Sequence, residues 1–178
     1  MDRFSAQLIL QRQLRQRENR QAARAVEAVM DALAAHHRAA DEGVDVELWG
    51  TLALLSWADV ELCEHNELAR GRVASELAQS EGAPAPMCEV LARARQAPPD
   101  EASALELSLI LAEWLGARVE ADEALESATL ARELELRAGR GDATGDRIDG
   151  ALVALALEPP AAAALALAAV RALREAKP

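Results

Sequence analysis

Tyrosine is absent, Phe4 is the one phenylalanine, and three tryptophans complete an aromatic content of 2%. Strands draw on aromatic and β-branched side chains that pack on a pleated surface, so this poverty argues against a sheet. Two cysteines, Cys63 and Cys88, stand in apolar contexts and form no CxxC pair, which leaves no disulfide framework and none of the common zinc spacings. No run of about 20 apolar residues occurs, as a spanning helix would need. The window from Ala151 to Val170 comes nearest and is broken by Glu158, Pro159 and Pro160. Leu8 to Leu10 is too short for the apolar core of a signal peptide, so a cytoplasmic protein is expected. The HExxH zinc pattern, the P-loop, GxSxG and a dinucleotide-binding glycine turn are all missing. So is the Glu followed three residues later by His that di-iron helices carry, because Leu33, Ala34 and Leu62 hold those places before His36, His37 and His65.

What the chain does have is alanine, leucine, glutamate and arginine, the strongest helix formers. At 178 residues it can bury a real core. The expected class is all-α, with about seven helices in a bundle or a stack of helical hairpins. An N-terminal part (1–81) and a C-terminal part (84–178) meet at a Gly/Pro hinge over 81–86, within one compact unit. No tetratricopeptide pattern is present at a spacing of about 34 residues.

Ser5 is placed to cap a long first helix reaching about Ala40 and stopped at Asp41-Glu42-Gly43. Val26, Val29, Met30 and Leu33 line one face of its second half, with Arg17, Arg20 and Arg24 opposite. Between Arg15 and Gln21 no side chain is apolar, so the helix either projects from the body there or breaks. A second helix is expected from Asp45 to about Gln79, with Gly50 and Gly71 as weak points. A short helix over 86–95 follows, then a buried one from Asp100 to Leu115 that Pro98-Pro99 opens and Gly116 turns or kinks. Helices near 119–138, 146–157 and 160–176 complete the chain.

The stretch from Glu47 to His65 holds Trp49, Trp57, Cys63 and His65, and its wide apolar face marks a central helix. Leu48, Leu52, Leu55 and Leu62 form one stripe of it. Asp59 interrupts that stripe and needs a donor, for which an arginine from another helix is the natural partner. Asp59, Glu61, Glu64 and His65 are the best candidates for proton or metal chemistry, against the plainer reading of a solvated edge with an i,i+4 pair. The acidic neighbourhood makes Cys63 a core residue rather than a nucleophile. The loop GRGDATGDRIDG (139–150) matches neither a calcium loop nor a nucleotide loop and reads as a helix stop followed by an Asp cap.

Charge is unevenly spread. Residues 1–24 carry six arginines against Asp2 and Glu18, a balance of +4, while the remaining thirteen basic and twenty-eight acidic residues leave −15. An acidic body opposes tight binding to nucleic acid or anionic membrane. The expected function is therefore a non-enzymatic protein-interaction module: an adaptor, assembly factor or chaperone-like protein without a cofactor. A protein partner or a second copy would bind the first helix, with Leu8, Leu10 and Leu14 as apolar anchors and Arg17, Arg20 and Arg24 as complementary charge. The alternatives are a small helical enzyme or metal-binding bundle using Asp59, Glu61, Glu64 and His65, and a weak nucleic-acid-associated regulator using the Arg-rich arm.

Overall fold

The long first helix is broken where its apolar residues run out. In a computed structural model, which describes residues 1–176, α1 (Arg3–Gln13) ends at Leu14, whose backbone is extended, and α2 (Arg17–Arg38) starts afresh. The side chain of Asp2, not Ser5, caps α1 by accepting the Ser5 N–H at 2.8 Å. Seven further helices follow: α3 (Val46–Trp57), α4 (Arg72–Ser80), α5 (Ala85–Arg93), α6 (Ala104–Ala121), α7 (Ser127–Ala138), α8 (Ala143–Ala154) and α9 (Pro159–Glu175). The described residues thus hold nine α-helices rather than about seven, and no strand. The last two residues of the expected C-terminal part, 177 and 178, lie outside the described residues.

The helix expected over 45–79 is also divided, and Asp59 is the reason. Its carboxylate is completely buried and accepts the N–H groups of Gly71 at 2.7 Å and Ala74 at 3.2 Å. A carboxylate on an apolar face must be satisfied, and here the chain turns back to set the first turn of α4 over it. Gly71 makes that return with φ of +81°, and a Cβ there would stand 2.8 Å from the Leu91 carbonyl oxygen. Leu62 and Leu68, in the turns between α3 and α4, are 57% and 92% exposed, so Leu62 does not extend the apolar stripe.

Every residue from Trp49 to Asp59 is buried, and α3 packs on α1, α2, α4, α5 and α6, while α2 packs on α3, α6 and α9. At its crossing with α6 a Cβ on Gly116 would lie 2.7 Å from the Val26 nitrogen. Gly116 is therefore a contact point between backbones inside a continuous α6, not a turn. Pro98-Pro99 open a 3-10 turn (Pro99–Glu101), and Ser103 with Glu106 forms the capping box that starts α6. The chain on both sides of 81–86 contributes to one hydrophobic cluster. Among the described residues no single helix is long and apolar enough to cross a membrane, and α8 and α9 are bent 90° apart at their break.

Candidate functional site

The break between α1 and α2 makes an elbow, and three interactions hold it. Leu14, 1% exposed, turns into the core. Arg20 Nη1 donates to the Leu14 carbonyl at 2.8 Å. Glu61 reaches across from the α3–α4 connection and accepts the N–H groups of Arg15 and Gln16, each at 2.9 Å, and Asn19 Nδ2 at 3.0 Å. It serves as a helix cap supplied from elsewhere in the chain. Burial opposes the Glu61 charge, but the bonds from Asn19, Arg15 and Gln16 and the nearby Arg20 outweigh it and hold the carboxyl below its ordinary range.

Arg3 anchors α1 to the body. Its guanidinium donates to both Asp31 carboxylate oxygens at 2.7 and 2.9 Å and to the Val46 carbonyl at 3.3 Å. Gly50 provides the room: a Cβ there would overlap the guanidinium. The glycine that looked like a weak point in the sequence is the socket for the N-terminal arm.

Of the residues expected to bind a partner, the structure brings the arginines together and separates the leucines. Arg17, Arg20 and Arg24 of α2 line a groove with Gln7, Leu10 and Gln11 of α1. Arg24 is 3.1 Å from Glu27, Arg20 is spent on an uncharged carbonyl, and Arg17 makes no ion pair among the described residues. Leu10 and Leu14 are 3% and 1% exposed, so they fasten the elbow and offer a partner no anchor. Leu8 stays 42% exposed, and Phe4, one turn before it, is 67% exposed. Phe4 was missed because the expected anchors were drawn from the leucines Leu8, Leu10 and Leu14. The signal lay in the helical spacing, since Phe4, Leu8 and Gln11 share a stripe that Ile9 and Leu10 do not.

The other constellation does not converge. Asp59 pairs with Arg70, Nε to Oδ1 at 3.1 Å, and Arg70 lies 5.1 Å from the centre of the Trp57 ring. Glu113 is within 3.9 Å of Arg70 and bonds Arg95, so two carboxylates and two arginines from both sides of the 81–86 hinge share one largely buried network. Burial disfavours the Arg70 charge, yet Glu113 and Asp59 outweigh it and raise the pKa of the guanidinium. Glu61 belongs to the elbow, while Glu64 and His65 face solvent. Cys63 is buried, and burial, followed by the Asp59 charge, pushes its thiol up, away from nucleophilic character. Among the described residues no three His, Cys, Asp or Glu side chains cluster as a metal site. His36 Nε2 donates to the Leu155 carbonyl at 3.0 Å, and the His37 ring centre lies 5.9 Å from that of Trp49. Asp142 caps α8 through the N–H groups of Thr144 and Gly145, which accounts for the Asp-rich loop.

The elbow is where the three arginines expected to bind a partner meet in one groove, while the exposed Leu8 lines the neighbouring concavity with Met1, Ser5, Arg12 and Glu81. No protein-family model, no curated protein and no solved structure matches this chain.

Proposed function

We propose that the protein is a non-enzymatic helical interaction module, an adaptor, assembly factor or chaperone-like protein, that takes an acidic segment of a protein partner at the α1–α2 elbow. The observation that carries this reading is the convergence of Arg17, Arg20 and Arg24 on one groove with Gln7, Leu10 and Gln11 of α1, the helix on which Phe4 and Leu8 stay exposed. Planar guanidinium forks match carboxylates in geometry as well as charge, and the glutamines of the groove add neutral donors. The exposed Phe4 of α1 supplies an aromatic anchor of the kind that interface energy concentrates on. The arginines sit at a rim, where charge sets encounter rate and orientation more than affinity. Nucleic acid fits less well, because the −15 balance of the remaining chain repels a polyanion as it nears the elbow. Catalysis has no comparable support, since Asp59 and Glu61 are both engaged at helix starts.

A photoreactive phenylalanine analogue at position 4 tests the proposal in the source cell. The expected result is a discrete protein adduct that disappears in the Arg17→Glu, Arg24→Glu variant, which leaves the Arg20–Leu14 bond of the elbow in place. The absence of a protein adduct, or an adduct indifferent to those charges, would refute it.

A further inference from the structure

We propose that the segment taken by the elbow belongs to a second copy of this chain, and that copies join head to tail. This rests on the elbow being an interaction surface and names its partner. The complementary surface is a concavity between α7, α8 and the start of α9, lined by Glu135, Asp149 and Glu158 together with Leu152, Val153 and Pro159. Every charged group in that lining is acidic, and none of the three carboxylates is in an ion pair among the described residues. Arg132 and Arg140, close by in sequence, do not line it. Val153 is 74% exposed, so the pocket offers an apolar contact beside its charge. Three carboxylates thus match three guanidiniums in charge.

The two surfaces lie at opposite ends of α2. The elbow surrounds its first turns, whereas His36 near its C-terminus bonds Leu155, in the turn that leads to Pro159. Sixteen residues separate Arg20 from His36, about 24 Å at the helical rise. One molecule cannot bring its elbow to its own acidic pocket across that length of rigid helix. Nor can two elbows pair symmetrically, because each would set three arginines against three arginines. What remains is a heterologous contact, elbow of one copy to pocket of the next, which leaves a free elbow at one end and a free pocket at the other. Growth then depends on protein concentration and weakens with salt, since the matched charges are exposed.

Light-scattering mass across a concentration series is the test, with two charge-reversal variants of the full chain. One carries Arg17→Glu and Arg24→Glu and keeps Arg20, which holds the elbow; the other carries Glu135→Arg, Asp149→Arg and Glu158→Arg. The wild type should rise in average mass with concentration and fall back on adding salt. Each variant alone should be monomeric, because its elbow and pocket then carry the same sign. Mixed together they should assemble again, since each elbow now meets an opposite pocket on the other variant. A wild type that stays monomeric to its highest soluble concentration at low salt would overturn the proposal, as would association that survives in the first variant or fails to return on mixing. A monomeric protein that still gives a charge-dependent adduct of foreign mass from position 4 would remove the second copy and leave the interaction reading in place.

Discussion

Asp59 shows how much one residue can decide. It is the buried carboxylate that ends α3, starts α4 and holds Arg70 against Trp57. Removing one partner of a buried pair leaves an uncompensated charge and costs about 3–5 kcal/mol. Asp59→Asn keeps the shape and loses the charge. With Glu113 still 3.9 Å from Arg70, the loss should be about 3 kcal/mol, read from the urea midpoint. A loss below about 1 kcal/mol would show that Glu113 alone neutralises Arg70. Glu61 gives a pH-dependent counterpart. Its folded-state pKa lies below the ordinary 4.5, so it stabilises the fold above that value, and the contribution fades as pH falls through the lowered one. Glu61→Gln should cost about 1 kcal/mol at neutral pH, the usual worth of a helix cap. The difference from wild type should vanish in acid, and a constant difference across the titration would mean that shape, not charge, holds the elbow. The need of Asp59 for an arginine was legible in the sequence from its place on an apolar stripe. Its capture of two backbone N–H groups was not, because a cap that reaches across a turn leaves no local pattern.

At the scale of the element, glycine separates what spacing reveals from what packing decides. Gly116 and Gly150 both sit inside helices, where alanine is favoured by about 1 kcal/mol. A Cβ at Gly116 would meet backbone, with Val26 N at 2.7 Å and Val26 Cα at 2.8 Å, so α2 and α6 would have to move apart. Overpacking of that kind costs about 1–3 kcal/mol and outweighs the propensity gain. At Gly150 the nearest atoms are the Leu107 side-chain methyls at 3.4 and 3.5 Å, an ordinary contact that a rotamer can adjust. Gly116→Ala should therefore lower the melting temperature and Gly150→Ala raise it, in the same scan. Equal shifts in one direction would show that propensity, not the α2–α6 crossing, governs both sites. The same reasoning explains the misread helices. Apolar periodicity located α9 to within a residue behind Glu158-Pro159-Pro160, whereas α8 starts and ends three residues before the expected 146–157 because Asp142 caps it. The same periodicity gave one helix over 45–79, because a buried acid and an arginine loop, Arg70-Gly71, carry no breaker until the fold sets them face to face. In the elbow, the absence of apolar residues from Arg15 to Gln21 left a projecting helix or a break open, and the chain breaks, so the long first helix does not form.

At the scale of the molecule, the question is whether the Gly/Pro segment at 81–86 separates two units or only turns the chain. Residues on both sides enter one hydrophobic cluster, α2 crosses α6, and the Arg70–Glu113 approach spans the same divide. Each of these ties N-terminal to C-terminal chain, so neither side keeps a finished core without the other. A core shared in this way couples the two parts, so one-step unfolding is expected even at 178 residues, above the usual range for it. The tryptophans allow a direct reading, because Trp49 and Trp57 belong to the first part and Trp114 to the second. In Trp114→Phe the fluorescence reports the first part alone, and in Trp49→Phe, Trp57→Phe the second alone. Urea transitions followed by each signal should coincide with the helical circular dichroism of the same variant, midpoint and slope alike. Earlier loss of the Trp114 signal would mean that α5–α9 open as a separate unit. The α2–α6 contact would then be a dockable interface rather than the centre of the core. Coincidence would also bear on the elbow: α1 and the start of α2 would be carried on a body that does not open, so partner affinity would depend on the Phe4–Leu8 ridge and the three arginines and not on exposing buried helix faces.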